Sequence, residues 1–139
     1  MTTAFTRRVG VYGRCISDGA ILLTLLAATE PDRGRWTLPG GGMEFGEAPH
    51  ETLAREFHEE TGLHPKVGRL LTARSQVFPP NERRGPFHSI QFVYEVVASG
   101  QPSVIEVGGS TADAAWVPLD QVSRLPLVEL ARWAVRDDR

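Results

Sequence analysis

The chain has 139 residues, the size of one ordinary domain and enough to bury a core of its own. Hydrophobic residues make up 41% and charged residues 23%, which argues against disorder, and a formal net charge of −2 leaves no electrostatic footprint for duplex nucleic acid or a membrane surface. The single cysteine, Cys15, excludes an intramolecular disulfide and fits a reducing, cytoplasmic setting, and the longest apolar run, near 20–28, is too short to span a membrane.

Residues 8 to 17 read as a strand carrying Val9, Val11, Cys15 and Ile16, and Asp18-Gly19 is a hairpin-type turn into a return strand over 21–27. After a loop over 30–34, Trp36 to Leu38 form a short strand that leads into a glycine-rich turn. Pro49 suits the first turn of a helix, where its missing N–H costs nothing, and the helix runs to about Thr61 with Gly62 as its C-terminal cap. Leu53 and Phe57 form an i,i+4 apolar stripe for packing on a sheet, so the carboxylates of this helix turn toward a cleft. Residues 65 to 77 hold a strand or two, and 78–86 form a proline-rich loop with a charged tip. The clearest strand is 87–98, where Ile90, Phe92 and Tyr94 alternate against Gln91 and Glu95. A glycine-bearing loop over 99–111, a short strand over 114–117 and a closing helix from Leu127 to Arg136 complete the chain. Near its end, Leu125, Leu127, Val128 and Trp133 are suited either to internal packing or to a homodimer interface. The alternation predicts an α/β architecture, a mixed sheet with helices on both sides.

The chemistry concentrates in Gly41 to Glu47 and Arg55 to Leu63. Glu56, Glu59 and Glu60 stand at i,i+3 and i,i+4, so like charges are neighbours, and the helix has no Lys to neutralise them. A divalent cation turns that repulsion into coordination, because hard cations such as Mg²⁺ take carboxylate oxygens. An acidic helix face by itself is most often solvated surface; the spacing of the whole stretch changes the reading. Gly41, Glu47, Arg55, Glu56, Phe57, Glu59, Glu60, Gly62 and Leu63 fill every fixed position of a long pattern, Gly-x5-Glu-x7-Arg-Glu-apolar-x-Glu-Glu-x-Gly-apolar. This stretch resembles the Nudix box, the signature of the Nudix (MutT-like) hydrolases, and Trp36-Thr37-Leu38-Pro39-Gly40 resembles the strand and turn that introduce it.

The resemblance implies a single domain over residues 1–139, folded as an α/β/α sandwich with a mixed β-sheet between helices. It implies hydrolysis of a nucleoside diphosphate linked to another moiety, by water attack at phosphorus with Mg²⁺ or Mn²⁺ as cofactor. It carries the ligand role to Glu56, Glu59 and Glu60 with the Gly40 carbonyl, and a structural role to Glu47 paired with Arg55. The general base is then Glu59 or Glu56 within the box, or Glu106 or Asp113 outside it.

Around the proline-rich loop, Phe78 and Phe87 are candidates for stacking on a nucleobase, and Arg83 and Arg84 for reaching phosphates. His88 is a candidate for substrate contact or for a structural bond, whereas His50, His58 and His64 fit surface or orienting roles better than metal ligation. Pro79, sixteen residues after Leu63, matches a family pattern for ADP-ribose pyrophosphatases. The Trp-x-Leu-Pro-Gly-Gly segment instead resembles nucleoside triphosphate pyrophosphohydrolases, so the expected partner is a small nucleotide of either kind. The alternative is a nucleotide-sensing or ligand-binding module that keeps the box without turnover.

Overall fold

A computed structural model describes residues 4–136. Its elements are β1 (Thr6–Arg14), β2 (Ile16–Ser17), β3 (Ala20–Leu26), β4 (Trp36–Thr37), β5 (Gly40–Gly42), α1 (Pro49–Thr61), β6 (Lys66–Phe78), β7 (Phe87–Val97), β8 (Thr111–Pro118) and α2 (Glu129–Arg136), with a 3-10 turn at Val122–Arg124. Four strands make a mixed sheet in the order β5-β1-β7-β6: β1 and β7 run parallel, while β5 and β6 pair antiparallel with their neighbours. A second, antiparallel sheet is centred on β3, which takes β8 along one edge and the short β2 and β4 as its other partners.

The expected strand over 8–17 is two strands in two sheets. The chain breaks at Cys15, and only β2 forms the hairpin, with Ile16 opposite Ile21 and Ser17 opposite Ala20. Asp18 and Gly19 both take positive φ, 51° and 75°, as the tight two-residue turn demands. β1 instead runs beside β7, Thr6 opposite Phe87 through Arg14 opposite Glu95. A parallel partner some eighty residues away leaves no turn signature next to the strand, so local pattern cannot reveal it. The segment after Pro65 is one long strand with two register shifts, between Val67 and Thr72.

The alternation on β7 separates two buried faces. Val93 joins Ile21, Leu23, Leu38, Leu130, Ala131 and Ala134 in a core under α2. Val96, with Phe92 and Tyr94 packed beside it, joins Val11, Leu22, Leu53 and Phe57 in a core under α1. Helices thus cover opposite sides of the sheet layer, the α/β/α arrangement expected. Leu125, Val128 and Trp133 pack against the α2 core and Leu127 is part of it. Among the described residues no helix is long and apolar enough to cross a membrane.

Local chemistry sets where α1 begins and ends. Pro49 opens it, the Glu51 carboxylate accepts the Ala48 N–H at 2.8 Å, and Gly62 closes it at φ 71° with its N–H on the His58 carbonyl at 2.8 Å. Arg14, buried on β1, donates Nε–H to the Ala134 carbonyl at 2.8 Å and so ties the last turn of α2 to the mixed sheet.

Candidate active site

The β5 turn and α1 meet because β5 pairs with β1 while α1 packs its apolar stripe on the same sheet. Leu53 and Phe57 are fully buried, which orients the helix about its axis and brings Glu56 and Glu60 toward the turn. The Gly40 amide donates to Glu60 Oε1 at 2.9 Å. At Gly41 there is no room for a side chain, since a Cβ would lie 2.6 Å from the Glu56 carboxyl carbon. Glycine here is a space requirement set by the carboxylate itself.

Arg55 organises the acidic side chains. Its Nε and Nη2 donate to the two oxygens of Glu47 at 2.8 and 2.9 Å, a bidentate pair that a lysine would not reproduce. Its Nη1 donates to Glu56 Oε1 at 2.9 Å and stands 3.7 Å from Glu59 Oε2. Glu47 is braced further by the Glu44 N–H and the Thr52 hydroxyl, each 2.9 Å from Oε1. These donors, Arg55 foremost, hold the Glu47 carboxyl down at about 2, so it stays ionised as the anchor of the clamp.

Glu56 and Glu60 are perturbed in the opposite direction. Burial raises the Glu60 carboxyl well above the usual carboxylate range, with Glu56 and Glu106 adding to the rise. Burial also raises Glu56, opposed by Arg55 and reinforced by Glu59 and Glu106. Glu106 therefore belongs to the same electrostatic cluster, although it lies on the loop before β8. The Ile105 and Glu106 amides hold that loop on the Glu59 carbonyl at 2.9 and 3.1 Å, and Glu106 Oε1 accepts the Thr111 N–H at 3.2 Å. A side chain on Gly109 would run into the Glu106 carboxylate, so this glycine lets the loop wrap around it. Asp113 sits apart, exposed on β8 opposite Leu25, with its carboxylate on the Ala114 N–H at 2.8 Å.

The cluster opens into a cleft of about 460 Å³ that includes Gly40, Gly41 and Glu60 in its wall. Phe78 lines this cleft; Arg83, Arg84, Phe87 and His88 do not. Arg84 lies 5.6 Å over the Phe87 ring and donates to the Pro79 and Gly85 carbonyls at 3.2 and 2.9 Å, while the Arg83 amide bonds Asn81 Oδ1 at 2.8 Å. His88 Nδ1 accepts from Arg7 Nε at 3.3 Å. His58 and His64 stack on each other at 4.5 Å, and His50 packs edge-on against Tyr94 at 4.9 Å.

Several lining residues carried no recognisable signal in the sequence: Arg8, Tyr12, Arg35, Gln76, Gln91 and Arg132. Strand pairing explains two of them. Arg8 lies opposite Ser89 and Gln91 opposite both Gly10 and Arg74, so one face of the mixed sheet floors the cleft. Gln91, which alternates against Ile90, Phe92 and Tyr94, faces this floor. Tyr12 leans back over Gly10, where a Cβ would come within 2.7 Å of its ring, and burial raises its phenol, which stays a neutral donor beside Glu56 and Glu60.

The donor set suits a hard divalent cation: clustered carboxylates, one of them deeply buried, beside a backbone turn cleared of side chains. Among the described residues no three acidic, imidazole or thiol groups already converge at ligand spacing.

Comparison with known proteins agrees with this architecture. The NUDIX domain family matches residues 4–137. An ADP-ribose pyrophosphatase of Methanocaldococcus jannaschii is 35% identical over 117 residues, 84% of this chain and 65% of that protein. A human 8-oxo-dGDP phosphatase is 34% identical over 125 residues, 84% of this chain and 36% of that protein. The chain thus spans about a third to two thirds of the length of these curated relatives. A MutT NUDIX hydrolase structure from Burkholderia pseudomallei superposes with a TM-score of 0.81 at 29% identity, covering 96% of this chain and 99% of that one. With a family match along nearly its whole length, laid on a fold that brings the box glycines against the acidic helix, this chain belongs to the Nudix family.

Proposed function

We propose that the protein is a Mg²⁺-dependent pyrophosphohydrolase acting on a nucleoside diphosphate linked to another moiety, with residues 1–139 as one catalytic unit. The observation that carries this reading is the division of labour among the acids. Both oxygens of Glu47 are held by Arg55, while Glu56 keeps one oxygen off Arg55 against Gly41 and Glu60 lines the open cleft beside Gly40.

Glu56, Glu59 and Glu60, with the Gly40 carbonyl, would hold the metal. When bound, Mg²⁺ or Mn²⁺ neutralises the diphosphate and lowers the pKa of a water. The chain's own part is positioning and proton transfer. Arg55 holds Glu56 and Glu59 in orientation through Glu47, work that metal sites depend on as much as on the ligands. A carboxylate of the cluster, Glu59 or the loop residue Glu106, takes the proton from the attacking water. The new bond forms from the water oxygen to one phosphorus, and the bond from that phosphorus to the bridging oxygen breaks. The bridging oxygen leaves with the other phosphate. Phe78, Gln76 and Gln91 on the cleft floor receive the nucleoside. The buried lone thiol suits a cytoplasmic setting.

The relatives' names divide between ADP-ribose and an oxidised nucleoside diphosphate, so substrate identity is a matter for assay. The test is a panel of ADP-ribose, NADH, dinucleoside polyphosphates, sugar nucleotides and (d)NTPs with Mg²⁺, read by released nucleotides. One class should yield a monophosphate, and Glu59→Gln should slow it by roughly 10²–10⁴-fold while the protein stays folded. Silence across the panel, repeated with Mn²⁺, overturns the reading in favour of a binding module.

A further inference from the structure

The cleft has a second charged feature away from the carboxylates. Arg35, just before β4, and Arg132, on α2, both point a guanidinium at the Leu127 carbonyl oxygen, at 3.4 and 2.5 Å. Both line the cleft. The carbonyl is a fixed point: Trp36 N–H bonds the Pro126 carbonyl at 2.8 Å and Val128 N–H bonds the Trp36 carbonyl at 3.0 Å, so residues 126–128 run parallel beside β4. Two elements distant in sequence thus deliver two cations to one oxygen.

Neither guanidinium has a carboxylate within ion-pair distance among the described residues. The acids nearby are otherwise placed. Glu129 is taken by Arg74 at 2.7 Å, and Glu30 accepts from the Thr29 hydroxyl at 3.4 Å. Asp32 lines the same cleft but contributes only its backbone carbonyl to Arg35, through the Arg35 N–H at 3.1 Å. One arginine would satisfy a carbonyl. A second adds like-charge repulsion, which an anion between them would relieve. Each guanidinium has five N–H donors and spends one here, which leaves a converging set of donors suited to a phosphate's oxygens.

We propose that Arg35 and Arg132 form an anion subsite for a phosphomonoester carried by the substrate at a distance from its scissile diphosphate. Arg35 stands five positions before Gly40, so their Cα atoms lie at most roughly 18 Å apart. The substrate class is a nucleoside diphosphate derivative with an extra phosphate at its far end, on a ribose hydroxyl or a polyphosphate tail. The inference rests on the proposed hydrolysis for what lies at the other end of the ligand, but not for the subsite itself.

Two measurements separate them. The first compares matched substrates differing by one phosphomonoester, NADPH against NADH and coenzyme A against its 3′-dephospho form, in wild type, Arg35→Gln and Arg132→Gln. Both arginines reach Leu127 through Nη1, beyond the length of a glutamine, so thermal melting of each variant is read alongside to show that the fold is kept. In at least one pair the phosphorylated member should show a KM at least tenfold lower in wild type, an advantage both variants lose while kcat on the unphosphorylated member is unchanged. Equal KM values within both pairs, or a preference untouched by the variants, overturn the subsite. The second measurement needs no turnover: calorimetric titration with inorganic pyrophosphate in EDTA. Wild type should bind and the double variant should bind at least tenfold more weakly. Equal binding, or none in wild type, overturns the proposal. Pyrophosphate binding that depends on both arginines, without hydrolysis of any substrate, upholds the subsite and rejects the hydrolase reading.

Discussion

Gly40 and Gly41 are adjacent in the box turn, yet alanine at each should fail in a different way. Gly40 has φ 145°, a region essentially closed to residues with a side chain, and a Cβ there would overlap the Val11 carbonyl and come 2.7 Å from the Tyr12 Cα. Backbone cannot swing aside, so Gly40→Ala must displace β5 from its pairing with β1 and loosen the amide that bonds Glu60. Backbone strain alone costs about 1–3 kcal/mol, and the overlap with backbone raises the sum to about 3 kcal/mol or more. At about 3–4 °C per kcal/mol for a chain of this size, thermal melting should fall by roughly 10 °C. Gly41 is different: the nearest atoms its phantom Cβ meets belong to the Glu56 carboxylate, the far end of a flexible side chain. Gly41→Ala should cost under about 1 kcal/mol in stability while moving Glu56 by about an ångström, which costs on the order of a hundredfold in rate. Thermal unfolding, hydrolysis of the best substrate and Mn²⁺ binding read out the pair. Equal melting losses for both variants, or Gly41→Ala with wild-type rate and Mn²⁺ affinity, would refute the assignment of Gly40 to backbone geometry and Gly41 to carboxylate clearance.

Other variants test the remaining contacts. Because Glu47 is held down at about 2 in the folded state, the clamp contributes fully above the ordinary carboxylate value of 4.5 and is lost as pH falls toward 2. Glu47→Gln should therefore flatten the acid limb of the unfolding curve between those values; an unchanged limb would contradict the clamp. Burial pushes the Cys15 thiol up to about 11, so native protein at pH 8 should react with a disulfide reagent only as fast as it unfolds, and rapid stoichiometric labelling would count against the core. The same burial favours the thiol form, a contribution complete below pH 9 and lost as the pH rises through 11. Arg14→Leu strands the Ala134 carbonyl and should cost about 1–3 kcal/mol, seen as lower melting and faster amide exchange in α2. Unchanged exchange there would show that Arg14 does not anchor the helix.

Local chemistry in the sequence was sufficient for α1, the turn at Asp18-Gly19 and the shared face of the α1 acids. Pro49, the Leu53/Phe57 stripe and Gly62 delimit a helix by near-neighbour physics, and a helix carries Glu56, Glu59 and Glu60 to one side whatever it packs against. The pairing of Arg55 with Glu47 came instead from the resemblance, and the fold closes it at 2.8 and 2.9 Å. Tertiary structure decided everything that depends on which strands become neighbours. The strand over 8–17 divides between two sheets because β1 finds its partner in β7, and that choice puts Arg8 and Gln91 on the floor of the cleft. Glu106 joins the carboxylate cluster only because its loop hangs from the Glu59 carbonyl, whereas Asp113, seven residues on, is carried off along β8. Arg35 and Arg132 meet only because residues 126–128 add to β4. A helix writes its face at intervals of three and four residues, but contacts across a sheet depend on register between distant segments, and no local spacing encodes that.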